Sequence, residues 1–600
     1  MKNKNCYIAL AAAVLALLSP VLVPSCANTT EAPKGGPKDT IPPYIVNIHP
    51  LPGATSFPLE GGKIVFDFNE YVTIKTASDI FLSPPMEKKP KSKISGKSLV
   101  ISFDGALKPN TTYTLNLNGA IADNREGNRF PGFTYVFSTG MKIDSMFVTG
   151  TVLDCNTLSP IKGATVMLYK DHSDSAVFLN RPYAAGITDD WGYFVLPYIQ
   201  DTLYRMYAIR DAGNDNVYSP DADRVAFVDS LIRPEWIVND SIPELLKYDM
   251  TDTLGCRERR SQYELKLFRE HPSKQYIVNK VRMSPRSAYI TFMAPDAWID
   301  SLWFGGYPAD RVISQFNIQQ DSLELWLNDR RPAPDTLHLF VNYRKTDSLG
   351  ILKPELEHIK LVMDPEVRKN YSRSRRRNLK HEDTICVFSL KAEPEKVEQD
   401  GFVMEFNYPI IYENFDSLKF RYINPKQKEF TDKVSIERDS LNLRRYIIRP
   451  NVKFQPGFEY FLKVPYRSFQ DINGFWCDST EVKVTLPTDE SLSTLNANIT
   501  GVDRKFIVDL LDEKRANVLR SYIIESDCTL VFPYLKEGKY SIRIADDGNR
   551  NSIVDTGDLL QHRQPEPVRF VKFGDSEYLD IIKSAEVDQT INLAELFAKE

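Results

Sequence analysis

The sequence predicts an all-β protein built of tandem β-sandwiches, multidomain and elongated as a rod or arc, and three observations predict it. Short runs rich in Val, Ile, Thr, Tyr and Phe alternate in polarity and are bounded by Gly, Pro, Asn and Asp, the signature of strands and turns. One strand-and-turn pattern occurs three times. A second pattern occurs twice. Convincing helical periodicity is confined to two short stretches, 243–247 and 591–599.

The chain has 600 residues, too many for a single core, so several domains are expected. It opens with Lys2 and Lys4, an apolar run from Tyr7 to Leu18, and Val21-Leu22-Val23-Pro24-Ser25-Cys26. A basic start, an apolar core short of a bilayer span and a small residue before the cut read as a secretory signal over 1–25. Residues 26–43 are small, polar and rich in Pro and Gly, a flexible tether. No later run is apolar enough for a membrane helix.

The first repeat type begins at 44–140. Lys63–Phe68 and Ser98–Phe103 read as strands, Pro109 opens an alternating strand through Tyr113 and Leu115, Asp123–Gly127 is a turn, and Phe133–Phe137 closes the domain. The order returns over 275–365, with Pro334, His338, Phe340 and a turn at Asp347–Gly350. It returns again over 384–488, with Pro456, Tyr460, Leu462 and a turn at Asp471–Gly474. Each copy carries Pro-x-x-x-[Tyr/His]-x-[Leu/Phe] and then an Asp-led turn. Proline starts the strand without needing a ladder donor, the aromatic residue is expected to face the core, and the Asp/Gly turn reverses the chain.

The second repeat type spans 141–250. It contains Gly150, Pro160-Ile161-Lys162-Gly163-Ala164, Thr188-Asp189-x-x-Gly192, Leu196-Pro197-Tyr198, Tyr204 and an Asp/Asn-rich loop from Asp211. A shorter version fills 492–600, with Phe532-Pro533-Tyr534, Tyr540 and a loop from Asp546. Between the second and third copies of the first type, 366–383 is a basic linker that includes Arg373, Arg375, Arg376 and Arg377.

The function classes follow from what is present and missing. Formal net charge is −5, and losing Lys2 and Lys4 makes it −5 − 2 = −7, which argues against a nucleic-acid partner. There is no HExxH, CxxC, GxSxG, phosphate loop or dinucleotide fingerprint, so no enzyme is expected and no catalytic residue is nominated. The seven histidines are far apart in sequence, and no two have helical or hairpin ligand spacing. Asp211, Asp215, Asn216, Asp221 and Asp223 gather hard oxygens as calcium requires. So do Asp546, Asp547, Asn549, Asn551 and Asp555. Gly213 occupies a ligand position in the first loop and no glutamate ends either. Side-chain-tied turns are the alternative to structural calcium, the one cofactor considered. The clustered arginines suit an anionic headgroup or acidic partner, or else serve as a solvated linker. Exposed aromatics such as Trp303-Phe304 and Phe475-Trp476 would stack a glycan, unless they are core. Cys386 and Cys477 flank one domain, either bridged or as buried thiols.

The start of the chain resembles a bacterial lipoprotein signal, which implies that Cys26 becomes the lipid-bearing mature N-terminus. The stretch Gly35-Gly36-Pro37-Lys38-Asp39-Thr40-Ile41-Pro42-Pro43, with Phe66–Tyr71, the Pro109 strand, Ala122-Asp123-Asn124 and Phe137–Gly140, resembles the bacterial (SbsA-type) Ig-like domain of Bacteroidota lipoproteins. The second repeat type is similar to the transthyretin-like regulatory domain attached to carboxypeptidases, through Gly150, Pro160–Ala164 and Thr188-Asp189-x-x-Gly192; the last element is missing from 492–600. The resemblance implies an outer-membrane lipoprotein, on the periplasmic or the surface face. It would be a non-catalytic scaffold or binding subunit whose envelope-protein partner is a β-barrel or its assembly machinery. A glycan-binding surface lipoprotein is the alternative.

Overall fold

The computed structural model describes residues 39–236, 261–363 and 385–598, except 118, 132, 214 and 489. The chain divides into two units, one built on 39–145 and one on the remaining described residues. Almost every element is a strand, and nearly all ladders are antiparallel. No helix among the described residues is long and apolar enough to cross a membrane.

In the first unit a four-stranded sheet runs in the order Ile45–His49, Lys63–Phe68, Ser98–Ser102, Lys91–Ser95. Opposite it lie Phe81–Ser83, Thr112–Asn116 and Thr134–Ser138. Lys63–Phe68 and Ser98–Ser102 bury every second residue, as one-sided strands must. The core is aromatic: Phe137 stacks on Tyr113 with centroids 5.3 Å apart and meets Phe57 at 4.5 Å.

The strand-opening proline and the Asp turn have clear physical roles here. Tyr113 is 1% exposed, and its hydroxyl oxygen accepts from the Lys108 backbone N–H at 2.8 Å. The ring therefore fills the core while its oxygen ties down the chain just before Pro109. Tyr460 repeats the arrangement, accepting from Gln455 N at 2.6 Å. Both act as tyrosine corners, closing the end of a sandwich. At the turn, Asp123 Oδ1 accepts from the backbone N–H groups of Arg125, Glu126 and Gly127, and Oδ2 from that of Asn128. Asp347 and Asp471 do the same on a smaller scale, accepting from Leu349 and Ile351 and from Asn473 and Phe475. Burial pushes the Asp123 carboxyl up, but its four N–H donors outweigh this and hold it below the ordinary carboxylate value. At Asp471 burial wins and the carboxyl is raised.

The middle copy departs from the expected pattern. His338 does not face the core; it is exposed, while Leu337 and Leu339 on either side are buried. The strand end is instead secured by Arg282, 2% exposed, whose guanidinium donates to the carbonyls of Asp335, Leu361, Pro285, Pro334 and Ser284. Five neutral acceptors satisfy all its donors, and burial lowers its pKa.

The sandwiches over 146–268 and 493–592 share a parallel ladder, where the other three show only isolated parallel bridges among the described residues. In each of the two, the first strand is joined in parallel by the last: Met146–Asp154 with Tyr263–Leu267, and Ser493–Thr500 with Glu586–Asn592. Gly150 permits the first pairing, since a Cβ there would stand 2.4 Å from the Tyr263 carbonyl oxygen. The Thr188-Asp189 element is a tied corner. Thr188 Oγ1 donates to Ile161 O and accepts from Ala164 N, and Asp189 Oδ1 accepts from Trp191 and Tyr193 N–H. The expected helix at 591–599 is shorter than its pattern. Ile591 lies in the last strand, which ends at Asn592, and one turn, Leu593–Leu596, follows with Asn592 capping Ala594 N. The stretch 243–247 lies outside the described residues.

Replacing Asp123 by Asn removes the charge its turn is built around. Charged hydrogen bonds contribute about 1.5–3 kcal/mol each, so D123N is expected to lower the stability of the first unit by at least that much at pH 7. Because the folded carboxyl is depressed, its contribution is complete above the ordinary value of 3.8 and fades as pH falls through the lower folded value. Denaturant unfolding of both proteins from pH 7 to pH 2 should show the difference shrinking only below about pH 4.

Candidate functional site

Two strands of the second unit are buried on both faces. Thr165–Tyr169 and Phe506–Leu511 show no exposed position. An antiparallel strand in a lone sandwich has one face toward solvent, so each must be covered a second time. The inner face of Phe506–Leu511 fills the C-terminal core through Phe506, Val508 and Leu510. Its outer face joins Ile507 and Leu511 to Ala545, Val568 and Phe570, with Leu158 of the 146–268 sandwich packed against them.

Around this apolar patch the two sandwiches are stitched by polar groups. Arg515, over the Phe570 ring at 3.7 Å, donates to Thr157 O at 3.4 Å and to Glu577 at 2.6 Å. Glu270 accepts from the Tyr218 hydroxyl and, with its other oxygen, from Leu559 N, both at 2.5 Å. Burial, followed by the Glu270 bond, pushes the Tyr218 phenol up. Thr556 Oγ1 donates to Arg269 O at 2.6 Å, and Gln564 donates to Phe227 O and Asp229. Gly557 lies flat on Phe268: a Cβ there would stand 2.6 Å from the ring. On this same outer face Arg543 and Asp509 form a nearly buried ion pair at 2.6 Å.

The other neighbours in this unit are joined as well. Arg444 bonds Glu324 at 2.8 Å and stands over the Trp326 ring at 5.3 Å, Leu443 N donates to Gln315 at 2.9 Å, and Arg286 donates to Asn473 at 3.0 Å. Arg520 donates to both Glu395 O and Pro533 O, and Tyr534 to Glu398. The second, third and fourth sandwiches of the second unit are thus linked in succession, and the fourth is linked to the first.

The loops nominated for calcium spend most of their oxygens on their own backbone, side chains and neighbouring cations, while Asp211 Oδ1 and Asp546 Oδ1 are buried with no hydrogen-bond partner among the described residues. Asp211 Oδ2 accepts from Asn216 N, Asp215 from Val217 N, and Asp223 from Ala212 N and Ser219 N; Asp221 is exposed. Asp547 accepts from Asn551 N and Ser552 N and pairs with the Lys505 ammonium at 3.5 Å. Asn549 and Asn551 donate to Asp555, and Asp546 pairs with Arg504. Among the described residues no three His, Cys, Asp or Glu side chains come together in one cluster. Cys26 and the arginines Arg373, Arg375, Arg376 and Arg377 lie outside the described residues. Cys386 and Cys477 are buried thiols in register with each other.

The nominated aromatics are mostly engaged. Phe304 is core, and Trp303 stacks on Phe340 at 5.3 Å. Trp476 packs edge-on against Tyr412. Trp298, unremarked in the sequence, is 66% exposed at a cavity of about 520 Å³ lined also by Ser273, Asp296, Arg344 and Leu352. The histidine expectation is corrected: His338 and His358 meet across a hairpin, with ring nitrogens 2.8 Å apart.

A side chain at Gly557 should open the seam between the two sandwiches. Overpacking of this kind costs roughly 1–3 kcal/mol. Gly557→Val is therefore expected to lower the unfolding midpoint of the second unit and expose the 547–566 loop to limited proteolysis. A wild-type midpoint and cleavage pattern would refute the packing role.

Comparison with known proteins bears on the first unit most directly. No curated protein matches the chain. Among solved structures, it is similar to the S-layer protein rSbsC, at 10% identity and a TM-score of 0.13, covering 86% of this chain and 67% of that one. It is also similar to the BSP domain of a biofilm-associated protein, at 8% identity and a TM-score of 0.14, over 83% and 93% of the two chains. A third is BcpA, the major pilin subunit of Bacillus cereus, at 11% identity and a TM-score of 0.13, over 75% and 99%. Residues 39–139 match the family model of the bacterial Ig-like domain, and the chain accordingly contains a bacterial Ig-like domain at its first described sandwich.

Proposed function

We propose that this chain is a lipid-anchored, non-catalytic scaffold or binding subunit of an outer-membrane protein complex, acting beside β-barrel proteins or their assembly machinery. The observation that carries the reading is the locking of the second unit. Freely jointed modules pass no fixed geometry to a partner, whereas sandwiches sharing buried side chains hold loops and edges in set positions. The signal-like start with Cys26 supports the anchor. The sandwich over 277–363 supports partner binding, because exposed aliphatics, Leu349, Ile351, Leu352 and Leu356, crowd its long hairpin.

A second reading, glycan binding, draws on Trp298. An open indole face beside Asp296, Arg344 and Ser273 offers the apolar platform and hydrogen-bonding groups that a sugar ring uses.

Affinity purification of the tagged, membrane-extracted chain from its own cells, followed by mass spectrometry, separates the two. The scaffold reading expects an outer-membrane barrel or assembly protein to accompany it, with recovery lost when Leu349 and Leu352 are replaced by Asp. Recovery of the bait alone, with polysaccharide retention abolished by Trp298→Ala, would replace the scaffold reading by the glycan one.

A further inference from the structure

The strands Thr336–Thr346 and Leu352–Val362 form a hairpin in which His338 stands opposite Lys360 and Phe340 opposite His358. The two histidines are therefore diagonal neighbours on the outward face of the sheet. Both are exposed. His338 Nδ1 is 2.8 Å from His358 Nε2, one nitrogen carrying the hydrogen and the other accepting it. The His358 ring is held from its other side by Phe340, at 4.6 Å and 9°, and Phe340 by Trp303, at 5.3 Å and 9°. The stack fixes one imidazole, and the hydrogen bond aims the second at it. Its rings stand face to face and consume one another's faces, so it is no platform for a sugar.

We propose that His338 and His358 form a binding site for a borderline divalent transition-metal ion, with Cu²⁺ held most tightly and Zn²⁺ less so. Neutral imidazole nitrogen is the ligand these ions favour, and the order of affinity follows the Irving–Williams series. Two nitrogens each about 2.0–2.1 Å from one ion at a tetrahedral angle stand about 3.3 Å apart. The rings need to separate by only about 0.5 Å from their present spacing to admit it. The hydrogen between them moves to the outer nitrogen of the ring that carries it, so both inner nitrogens become donors with no net loss of a proton. Two protein ligands leave positions for water or for a donor group on a bound partner. The Lys360 ammonium opposite His338 opposes a dication and weakens the site.

Isothermal titration of the full chain with CuCl₂ tests this, with Cu²⁺ electron paramagnetic resonance as a second readout. The parent is expected to bind one equivalent with a two-nitrogen signature. His338→Asn and His358→Asn should each weaken that equivalent at least tenfold and leave one nitrogen or none. Lys360→Gln should tighten it, and His49→Asn, in the first unit, should leave it unchanged. All four sites are on the surface, and unchanged circular dichroism will show that the fold is kept. Parent-like binding in both His338→Asn and His358→Asn, or loss in His49→Asn, would overturn the proposal.

Discussion

A sheet with two apolar faces has to be covered twice, and this requirement governs the larger unit of the protein. Thr165–Tyr169 and Phe506–Leu511 each contribute one face to their own sandwich and present the other outward. Left bare, those outer faces would expose contiguous apolar surface of the kind that marks an interface. The outer face of Phe506–Leu511 is removed from water by Ile507, Leu511 and Phe570 packing with Leu158 of the 146–268 sandwich, and that of Thr165–Tyr169 is covered within its own sandwich, where Tyr169 meets the Tyr207 ring and donates to Asn180 O. The polar rim then sets orientation, because Glu270 and Arg515 each satisfy groups on both sides of the seam and Gln564 donates across it. Buried groups bonded in this way are costly to separate, since parting the sandwiches leaves donors and acceptors unpaired.

The individual sandwiches solve a different problem, that of closing their own ends. The two tyrosine corners and the three Asp turns are the same solution used repeatedly: a buried side chain ties backbone N–H groups that no ladder reaches. Asp123 and Asp471 show that the outcome is set by the balance between burial and hydrogen bonding. At Asp123 the hydrogen bonds outweigh burial and hold the carboxyl below its ordinary value, and at Asp471 burial outweighs its hydrogen bonds and raises it. The middle copy replaces its tyrosine corner by Arg282, and that change releases His338 to the surface beside His358.

Much of this was legible in the sequence. Alternation in Lys63–Phe68 and Ser98–Ser102 gives both the strand and its buried face. Pro109, Tyr113 and Asp123 mark a sandwich end because proline, aromatic ring and carboxylate each have one structural use there. The C-terminal seam left a fainter trace. Thr165-Val166-Met167-Leu168-Tyr169 and Phe506-Ile507-Val508 fail to alternate, which is what a strand covered on both sides looks like. For Phe506–Leu511 the covering Leu158 is hundreds of residues away, and no local pattern names it. The histidine pair was missed for a related reason. A separation of 20 residues becomes a contact only when the hairpin is centred on Leu349, so register had to be known before spacing meant anything. The Asp/Asn loops read equally as metal ligands or tied turns, because both uses call for the same oxygens.

The central claim is that the sandwiches over 146–268 and 493–592 are one cooperative body. Native-state hydrogen exchange across a series of sub-denaturing urea concentrations tests it most directly, by following the amides of Thr165–Tyr169 and Phe506–Leu511. If the shared seam stabilises both, the two strands will converge on a single opening free energy with one denaturant dependence. Two separate openings, each with its own free energy and slope, would contradict the account and return the unit to a string of independent modules.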